Sequence, residues 1–374
     1  MARKPSKPHP GARDKATAQA LVRWFKANAR EMPWRPRPLG IKRDPYVVLV
    51  SEIMLQQTQV SRVAPAFERF IARFPTIESL ANAPEPDILA LWSGLGYYRR
   101  AKMLHAAAQA VVSDHAGTMP STSHALKGLP GVGAYTAAAV ASLAFHEPTA
   151  MVDGNVTRVL LRFDARRAGA SDPKAIAWAR SRADALIRHA GPTPAPTLAG
   201  EALMELGATV CTPRSPRCDV CPLRTWCVAR ATGLTDTIPT PKRTKQTPTV
   251  RAVSIVLEDH AGRVAIETRP AKGMWASMVQ APTVEWSGEK NDASEVAREA
   301  LGLASSAKLR ERERFTHQTT HRRFEFTVIE VRATERVKRA IERARPGVRW
   351  VKREEIAGMA LSSVQTRVHG SRMP

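Results

Sequence analysis

At 374 residues the chain is too long for one compact domain, and its 43% hydrophobic content excludes a wholly disordered protein. Lysine and arginine number 57 against 34 acidic residues, which gives a formal net charge of +23 and attracts a polyanion, either nucleic acid or an anionic membrane surface. A run of about 18 apolar residues is lacking, as is the apolar core of a signal peptide, so we expect a cytoplasmic protein without membrane contact. A GC-rich genome also favours arginine, so the charge alone favours nucleic acid only modestly.

The first part of the chain carries the apolar spacing of helices. Residues 1–16 are basic and proline-rich, and we expect a flexible tail there. Residues 17–235 then have the pattern of one all-α domain whose helices are separated by glycine and proline signals. The predicted helices of this domain are Pro45–Val60, Pro86–Trp92, Arg99–His115, Ala134–Phe145, Val156–Arg162 and Gly200–Val210.

The second part of the chain changes period after a segment rich in proline, threonine and lysine. That segment, residues 236–249, has the composition of a linker. Alternating apolar positions then predict strands with one helical stretch among them, so we expect an α+β domain at 250–366 and a tail at 367–374. The predicted elements are the strands Val250–Leu257, Arg263–Thr268 and Arg323–Val331 and the helix Asn291–Leu301. No internal repeat is evident.

A glycine pair precedes the predicted helix Ala134–Phe145. Gly131 and Gly133, within the stretch Leu129–Gly133, let the backbone turn tightly just before the helix. The unpaired N–H groups and the positive dipole end of that helix can bind a DNA phosphate without reading sequence. A plain glycine-rich connection between two helices is the alternative, and the residues alone do not separate the two.

Glu52 and Asp153 are the two acidic residues that are candidates for catalytic carboxyl groups. Glu52 lies at helical spacing from Val48, Leu49 and Leu55, so it is on an apolar stripe where desolvation favours its protonated form. A carboxyl group that must donate a proton near neutral pH would be placed in this way, whereas a glutamate paired with arginine at the edge of the stripe is the alternative. Asp153 stands just before another predicted helix and could equally be its cap.

The four cysteines, Cys211, Cys218, Cys221 and Cys227, fall within 17 residues. A disulfide framework would scatter them through a secreted domain, so the clustering indicates a metal site. Their spacing is C-x6-C-x2-C-x5-C, and only the pair Cys218 and Cys221 matches a short zinc knuckle. Four thiolates in one loop also suit a cubane iron–sulfur cluster, and the spacing alone leaves zinc open.

Taken together, these features resemble the helix-hairpin-helix DNA glycosylases of the endonuclease III superfamily. Leu129–Gly133, Asp153 and the cysteine spacing carry that likeness. Within the superfamily the chain is similar to the adenine glycosylase branch (MutY type), over roughly Leu21–Cys227 and more loosely over the C-terminal domain. The stretches that resemble this branch are Pro33–Arg35, Ser51–Thr58, Gly94–Tyr98 and Val152–Asn155.

The resemblance implies a monomeric DNA-repair enzyme with an all-α helix-hairpin-helix glycosylase domain, followed by an α+β Nudix-like domain. Its partner would be double-stranded DNA with an adenine·8-oxoguanine or adenine·guanine mispair, in the nucleoid if the source is bacterial. The enzyme would flip the adenine out of the duplex and hydrolyse its bond to deoxyribose. One [4Fe–4S] cluster would be held by the four cysteines in the loop 211–227.

The resemblance also implies roles for individual residues. Glu52 would protonate the adenine, and Asp153 would stabilise the oxocarbenium-like sugar. Tyr135 and Asn155 would orient these two carboxyl groups. Further residues would contact the bases: Trp34, Arg35 and Glu201 around the flipped adenine, Gln57 and Tyr97 as wedges in the duplex, and Thr58 and Leu95 near the oxidised guanine.

Position 135 separates two branches of the superfamily. The branch with lyase activity carries a lysine there, whose amine forms a Schiff base with the sugar, and Tyr135 cannot do so. We therefore expect a monofunctional glycosylase that leaves an abasic site. An endonuclease III-type glycosylase-lyase is the alternative that Tyr135 disfavours. A non-catalytic DNA-binding protein is disfavoured by the presence of both Glu52 and Asp153, and a Nudix hydrolase with a helical appendage by its missing metal ligands.

The C-terminal domain departs from the patterns that it resembles. Only the fragment Arg298–Gly302 of the Nudix magnesium box is present, so no Nudix hydrolysis is expected. The family instead reads 8-oxoguanine through a Phe-Ser-His segment, for which this chain has Thr319, Thr320 and His321. Thr320 and His321 are the candidate reading residues, although the phenylalanine is missing. A second departure is the insertion Pro36–Arg43, which is longer and more basic than the family pattern.

Overall fold

The computed structural model describes residues 10–241, 247–286, 292–305 and 307–370. The chain divides into two compact units. The first unit contains the described residues from 10 to 81 and from 106 to 241, and the second contains residues 82–105 and the described residues from 247 onward. The expected domain at 17–235 is therefore interrupted by residues 82–105. Ser93 and Tyr98 of this segment both donate hydrogen bonds to the carbonyl of Leu361, within the second unit.

The first unit is built from helices. A buried apolar cluster of α1, α9, α10 and α11 forms its core, and three of the four cysteines pack against that cluster. Helix α5 and the start of α6 belong to the second unit. In chain order the helices up to residue 235 are α1 (Pro10–Asn28), α2 (Pro45–Leu55), α3 (Val60–Arg73), α4 (Ile77–Ala81), α5 (Glu85–Leu91), α6 (Arg99–Asp114), α7 (Ser123–Leu126), α8 (Ala134–Phe145), α9 (Gly154–Phe163), α10 (Pro173–Ile187), α11 (Ala195–Thr209) and α12 (Val228–Ala231), with a 3-10 turn at Cys218–Val220.

The predicted helices are confirmed with one exception. Helix α8 has its predicted bounds, whereas the prediction of one continuous helix over Pro45–Val60 is wrong. Helix α2 ends at Leu55, Gln57 adopts a φ of 57°, and α3 begins at Val60. A left-handed residue cannot continue a right-handed helix, so the chain turns there. Among the helices in the described ranges, none combines the length and apolar character needed to cross a membrane.

The expected N-terminal tail is shorter than the sequence suggested. Helix α1 begins at Pro10, so residues 10–16 are helical, while residues 1–9 lie outside the described residues. Asp14 accepts two hydrogen bonds from the guanidinium group of Arg182 on α10. This pairing fixes the start of α1, and a basic, proline-rich composition does not reveal it.

Part of the expected linker at 236–249 also packs into the first unit. Ile238 is 1% exposed and lies in an apolar cluster with Leu161 and Ala229. Its carbonyl accepts a 2.7 Å hydrogen bond from Nε of Arg162. Residues 242–246 lie outside the described residues, and β1 begins at Thr249.

The second unit contains a seven-stranded sheet with an apolar cluster on each face. The strand order is β3-β2-β1-β6-β5, with β4 paired to β1 and β7 paired to β2. Strands β1 and β6 are parallel, and the other pairs are antiparallel. The elements are β1 (Thr249–Asp259), β2 (Arg263–Thr268), β3 (Val279–Gln280), β4 (Thr283–Trp286), α13 (Ala293–Leu301), β5 (Arg310–Gln318), β6 (Arg323–Ala333), α14 (Glu335–Ala344), β7 (Arg349–Lys352), a 3-10 helix at Arg353–Gly358 and α15 (Ser363–His369).

The expected α+β character of this region is confirmed, with β2 at its predicted bounds. The expected tail at 367–374 is wrong for its first residues, because α15 continues to His369 and ends at the left-handed Gly370. Residues 371–374 and Asn291, the expected start of α13, lie outside the described residues. Ser362 caps α15 through the N–H of Gln365, which is a local signal that the composition of the chain end obscures.

Candidate active site

Glu52 is placed by a well-defined start of α2. Asp44 caps this helix by accepting hydrogen bonds from the backbone N–H groups of Tyr46 and Val47, and Pro45 occupies the first turn. Most of the helix is buried, and Glu52 is only 4% exposed. Glu52 therefore lies inside the apolar stripe and not at its edge.

Tyr135 reaches Glu52 from the first turn of α8. Its phenolic Oη donates a hydrogen bond to Oε2 of Glu52 across 2.7 Å and lies 3.9 Å from Sδ of Met204. Burial raises the pKa of Tyr135 well above its usual value, so the phenol keeps its proton and is the donor. The structure thus brings two of the predicted site residues into direct contact.

The Glu52 carboxyl group has a strongly shifted acidity. Burial, the largest influence, raises its pKa to about 7. The hydrogen bond from Tyr135 and the positive charge of Arg43 lower this pKa, whereas the negative charges of Glu201 and Asp153 raise it. A carboxyl group with such a pKa holds a proton in a large fraction of molecules at neutral pH and can act as a general acid.

Asp153 caps α9 and also begins a chain of polar contacts. Its Oδ1 accepts a 2.7 Å hydrogen bond from the N–H of Val156, and its Oδ2 accepts one of 2.8 Å from Nδ2 of Asn155. The amide oxygen of Asn155 accepts a hydrogen bond from Arg158, whose Nε donates to the carbonyl of Cys211. The capping role is therefore present, and the same bonds hold the Asp153 carboxyl group in one orientation.

A row of paired charges, all of them buried except Arg30, connects α11 with the segment before α2. Arg35 donates to Glu205 at 3.3 Å and lies 3.4 Å from Glu201. Arg43 donates through Nη2 to both oxygens of Glu201, at 2.7 and 2.8 Å, and Arg30 pairs with Glu205. We call Arg30, Glu205, Arg35, Glu201 and Arg43 the charge ladder. It brings the predicted pair of Arg35 and Glu201 together.

Trp34 has a different environment from Arg35, its neighbour in sequence. It is 4% exposed, and its ring packs edge-on against Phe67 with the centroids 5.3 Å apart. The indole therefore contributes to the core of the first unit.

Gln57 and Thr58 occupy the turn between α2 and α3. Gln57 is exposed and left-handed, while Thr58 donates to the carbonyl of Gln56 at 3.3 Å. The side chain of Gln56 donates to the hydroxyl of Thr136 at 3.3 Å, which ties the turn to α8. The turn therefore presents Gln57 to solvent directly after the helix that carries Glu52.

The glycine pair forms an open turn before α8. Gly131 has a φ of 71°, which favours glycine, and Gly133 is the N-cap of α8. A Cβ atom at Gly133 would meet nothing within 4 Å, so the space beside it is open. Since a glycine cap has no side chain to accept from the first N–H groups of the helix, those groups can bind an anion. Leu129 and Val132 are buried and anchor the turn.

The four predicted metal ligands line one cavity beyond the end of α11: Cys211, Cys218, Cys221 and Cys227. Nη1 of Arg162 donates to Sγ of Cys211 at 3.4 Å. Burial raises the pKa of the free Cys221 thiol to about 12, and a bound metal would remove that proton. Within the described ranges, no three His, Cys, Asp or Glu side chains converge as ligands of a single ion. Four thiols around one cavity supply the donor set of a cubane cluster, which takes one thiolate on each iron.

The second unit holds the remaining predicted site residues. Leu95 is buried, whereas Tyr97 is 47% exposed and has a φ of 48°. The hydroxyls of Tyr97 and Thr320 share a hydrogen bond of 2.6 Å. Tyr98 is buried and donates to the carbonyl of Leu361. The structure thus joins a predicted wedge residue to a predicted reading residue.

Thr319 stabilises the turn between β5 and β6. Its hydroxyl accepts a 3.0 Å hydrogen bond from the N–H of Arg322 and donates to the carbonyl of the same residue at 2.8 Å. Thr320 and His321 are exposed on this turn. The position of the missing phenylalanine is therefore taken by a hydroxyl that holds the turn through the backbone.

The fragment of the Nudix box has a structural use. Nη1 of Arg298 donates to the carbonyls of Ala304, Ser305 and Ala307, so it closes the loop after α13.

Three buried or half-buried arginines were not predicted as site residues. Arg158 follows Asn155 by three positions on α9, and Arg162 follows Arg158 by four, so helical spacing could have indicated both. Arg43 offers no local signal, because its partner Glu201 is 158 positions away.

Three family models match the chain. Residues 50–180 match the HhH-GPD superfamily of base excision DNA repair proteins, residues 211–227 match the iron–sulfur binding domain of endonuclease III, and residues 252–369 match the NUDIX domain. The predicted architecture, a helical glycosylase domain followed by a Nudix-like domain, is therefore confirmed. The cofactor is a [4Fe–4S] cluster, and all four cysteines of the chain lie in its loop.

Named relatives agree with these matches. The adenine DNA glycosylase of Mycobacterium tuberculosis (strain ATCC 25618 / H37Rv) is 42% identical over 225 residues, which cover 60% of this chain and 70% of that protein. The adenine DNA glycosylase of Rattus norvegicus is 43% identical over 213 residues, but the matched region covers only 40% of its length. Among solved structures, a thermostable thymine-DNA glycosylase is similar with a TM-score of 0.52 at 29% identity, over 59% of this chain and 98% of that one. The chain belongs to the adenine DNA glycosylase family.

Proposed function

We propose that the protein is a monofunctional DNA glycosylase of base excision repair. It flips adenine out of a mispair with 8-oxoguanine or guanine and excises it by acid-assisted hydrolysis of the N-glycosidic bond. The observation that carries this proposal is the contact between Tyr135 and Glu52, in which a buried carboxyl group with a pKa of about 7 receives a hydrogen bond from a phenol. The net charge of +23 supports double-stranded DNA as the partner. In this proposal the enzyme is a monomer and acts in the nucleoid if the source is bacterial.

The two carboxyl groups have separate tasks in this reaction. Protonated Glu52 donates to the adenine, which then leaves as a neutral base. The carboxylate of Asp153, held by Val156 and Asn155, stabilises positive charge that develops on the sugar. Tyr135 orients the acid, and Asn155 orients Asp153.

The surrounding residues bind DNA in the proposal. The open turn at Gly131 and Gly133 binds a phosphate at the start of α8. The exposed Gln57 and Tyr97, both left-handed, enter the duplex as wedges. The remaining contacts are those of Trp34, Arg35 and Glu201 with the flipped adenine and of Thr58, Leu95, Thr320 and His321 with the oxidised guanine.

The cysteine loop and Tyr135 have further roles in the proposal. A cluster bound by the cysteine thiolates would cross-link the loop 211–227 into one rigid unit. Arg158 connects that loop with Asn155, so the loop supports the orientation of Asp153. Because a phenol cannot form a Schiff base, the product is an intact strand with an abasic site.

A strand-cleavage assay on a panel of duplexes tests the proposal. The duplexes carry adenine·8-oxoguanine, adenine·guanine or thymine glycol, and each reaction is split between treatment with and without alkali. We expect alkali-dependent cleavage at adenine in the first two duplexes and none at thymine glycol. Cleavage at thymine glycol without alkali would instead indicate a glycosylase-lyase acting on oxidised pyrimidines.

A further inference from the structure

Arg43 is the last residue of the insertion Pro36–Arg43, and its side chain is buried in the first unit. Its side chain is 6% exposed and that of Glu201 is 3% exposed. Nη2 of Arg43 donates to both carboxyl oxygens of Glu201, at 2.7 and 2.8 Å. The backbone N–H of Arg43 donates to the carbonyl of Leu143 at 3.2 Å, which fixes this end of the insertion against α8.

Arg35, the other arginine beside Glu201, is not placed to replace Arg43 in this contact. Nε of Arg35 lies 3.4 Å from Glu201, and its two other guanidinium nitrogens donate to Glu205 at 3.3 Å. Without Arg43, Glu201 would keep only the longer approach of Arg35. A buried carboxylate that loses its cationic partner is strongly disfavoured. Glu201 would then take up a proton or leave its present position, and either change removes the fixed carboxylate.

We propose that Arg43 is a positioning residue of the base pocket, which holds the Glu201 carboxylate in place by bridging both of its oxygens, and that it acts through Glu201 on the excision rate of enzyme in which Glu52 is protonated. This inference rests on the proposed function. A fixed carboxylate accepts hydrogen bonds from a base with an exocyclic amine, such as adenine, and repels a base with a carbonyl in that place. The insertion thereby contributes to the selection of adenine.

Arg43 also faces the general acid. The charged or titratable groups around Glu52 are Tyr135 from α8, Asp153 from the start of α9, Glu201 from α11 and Arg43 from the segment before α2. Loss of Arg43 should raise the pKa of Glu52, because the arginine lowers it, whereas loss of the Glu201 charge should lower that pKa. A residue needed only for folding would leave the pKa of Glu52 unchanged.

A double-mutant cycle of Arg43→Gln and Glu201→Gln tests the inference in the full-length, cluster-loaded protein. The readout is single-turnover adenine excision from an adenine·8-oxoguanine duplex with enzyme in saturating excess, at about pH 5, where Glu52 is protonated in every variant. Each single change should slow excision by about ten- to a hundredfold, and the double variant should be no slower than the slower single variant. Lys42→Gln, at the exposed neighbouring position, is the control and should stay within about twofold of wild type.

The pH dependence of the same rates is the second readout. Protonated Glu52 is the active form, so the decline of the rate at alkaline pH should move to higher pH in Arg43→Gln and to lower pH in Glu201→Gln. Arg43→Lys, which keeps the charge but not the two-oxygen geometry, takes the place of Arg43→Gln if the glutamine variant does not fold. Its loss should be smaller and should vanish in the Glu201→Gln background.

Two results would overturn the inference alone. Losses that multiply in the double variant would mean that Arg43 acts independently of Glu201, and pH profiles that coincide with wild type would mean a purely structural role. Failure of the wild type to excise adenine would instead overturn the proposed function together with this inference.

Discussion

Tyr135 donates a hydrogen bond to Glu52 across 2.7 Å, and this contact ties the first turn of α8 to the buried side of α2. Burial raises the pKa of Glu52, and the phenol lowers it. The pKa of about 7 is therefore a balance between desolvation and one hydrogen bond, with the charges of Arg43, Glu201 and Asp153 as further contributions. Removal of the single hydroxyl group at position 135 should therefore be measurable in the pH dependence of the reaction.

Single-turnover adenine excision should decline as the pH rises through about 7, because the proton on Glu52 is lost there. In Tyr135→Phe the hydrogen bond that lowers this pKa is gone, so the decline should move to higher pH. The measurement is the excision rate between about pH 5 and 9 under single-turnover conditions. Tyr46→Phe is the control, since Tyr46 donates to the carbonyl of Phe74 and not to Glu52. A Tyr135→Phe profile that overlays that of wild type would contradict the assigned contact.

Wild-type protein should give little covalent product when borohydride is added during the reaction, because Tyr135 has no amine. Tyr135→Lys should gain a trapped protein–DNA adduct, detected as a band of reduced mobility in a denaturing gel. Tyr135→Arg is the control, as it places a cation at the same position without a nucleophilic amine. Efficient trapping by the wild type would show that another amine reaches the sugar.

Anaerobically purified protein should be yellow-brown and contain about four iron atoms per chain, held by the four cysteines of the loop 211–227. Metal analysis by mass spectrometry gives the iron and zinc content directly. One zinc ion and no iron would remove the cluster from the account.

Changes at the β5–β6 turn should separate recognition of the two mispairs. Thr320→Val with His321→Ala removes a hydroxyl and an imidazole, which should reduce the preference for adenine·8-oxoguanine by about one to three orders of magnitude at most. Adenine·guanine cleavage should change little, because Glu52 and Asp153 are untouched. Thr316→Val, at an exposed position of β5, is the control. Equal losses on both mispairs would indicate general clamping of DNA by this unit.

The sequence predicts elements whose signals are local. Helix α8 follows the glycine pair, β2 is a short apolar stretch, and both have their predicted bounds. The break at Gln57 was missed because a left-handed residue other than glycine leaves no mark in the apolar spacing. Ile238 looks like part of a linker by composition, and only its packing against Leu161 shows otherwise.

The same distinction holds for the candidate site. Sequence motifs predict Glu52, Asp153 and the cysteines as candidate site residues, because each lies in a stretch with its own sequence pattern. The Tyr135–Glu52 contact joins residues 83 positions apart, and the Arg43–Glu201 pair joins residues 158 apart. Such pairs depend on how helices pack, which apolar periodicity does not specify.

Release of free adenine from an adenine·8-oxoguanine duplex, measured by chromatography for wild type and Glu52→Gln, tests the assignment of the general acid. The amide keeps the shape of the side chain but cannot donate the proton, so excision should fall by about 10²–10⁴-fold while the duplex is still bound. Glu147→Gln is the control, because the carboxylate of Glu147 bonds the backbone N–H and hydroxyl of Ser123 and should not affect the rate. Adenine release by Glu52→Gln at a rate close to wild type would contradict the account.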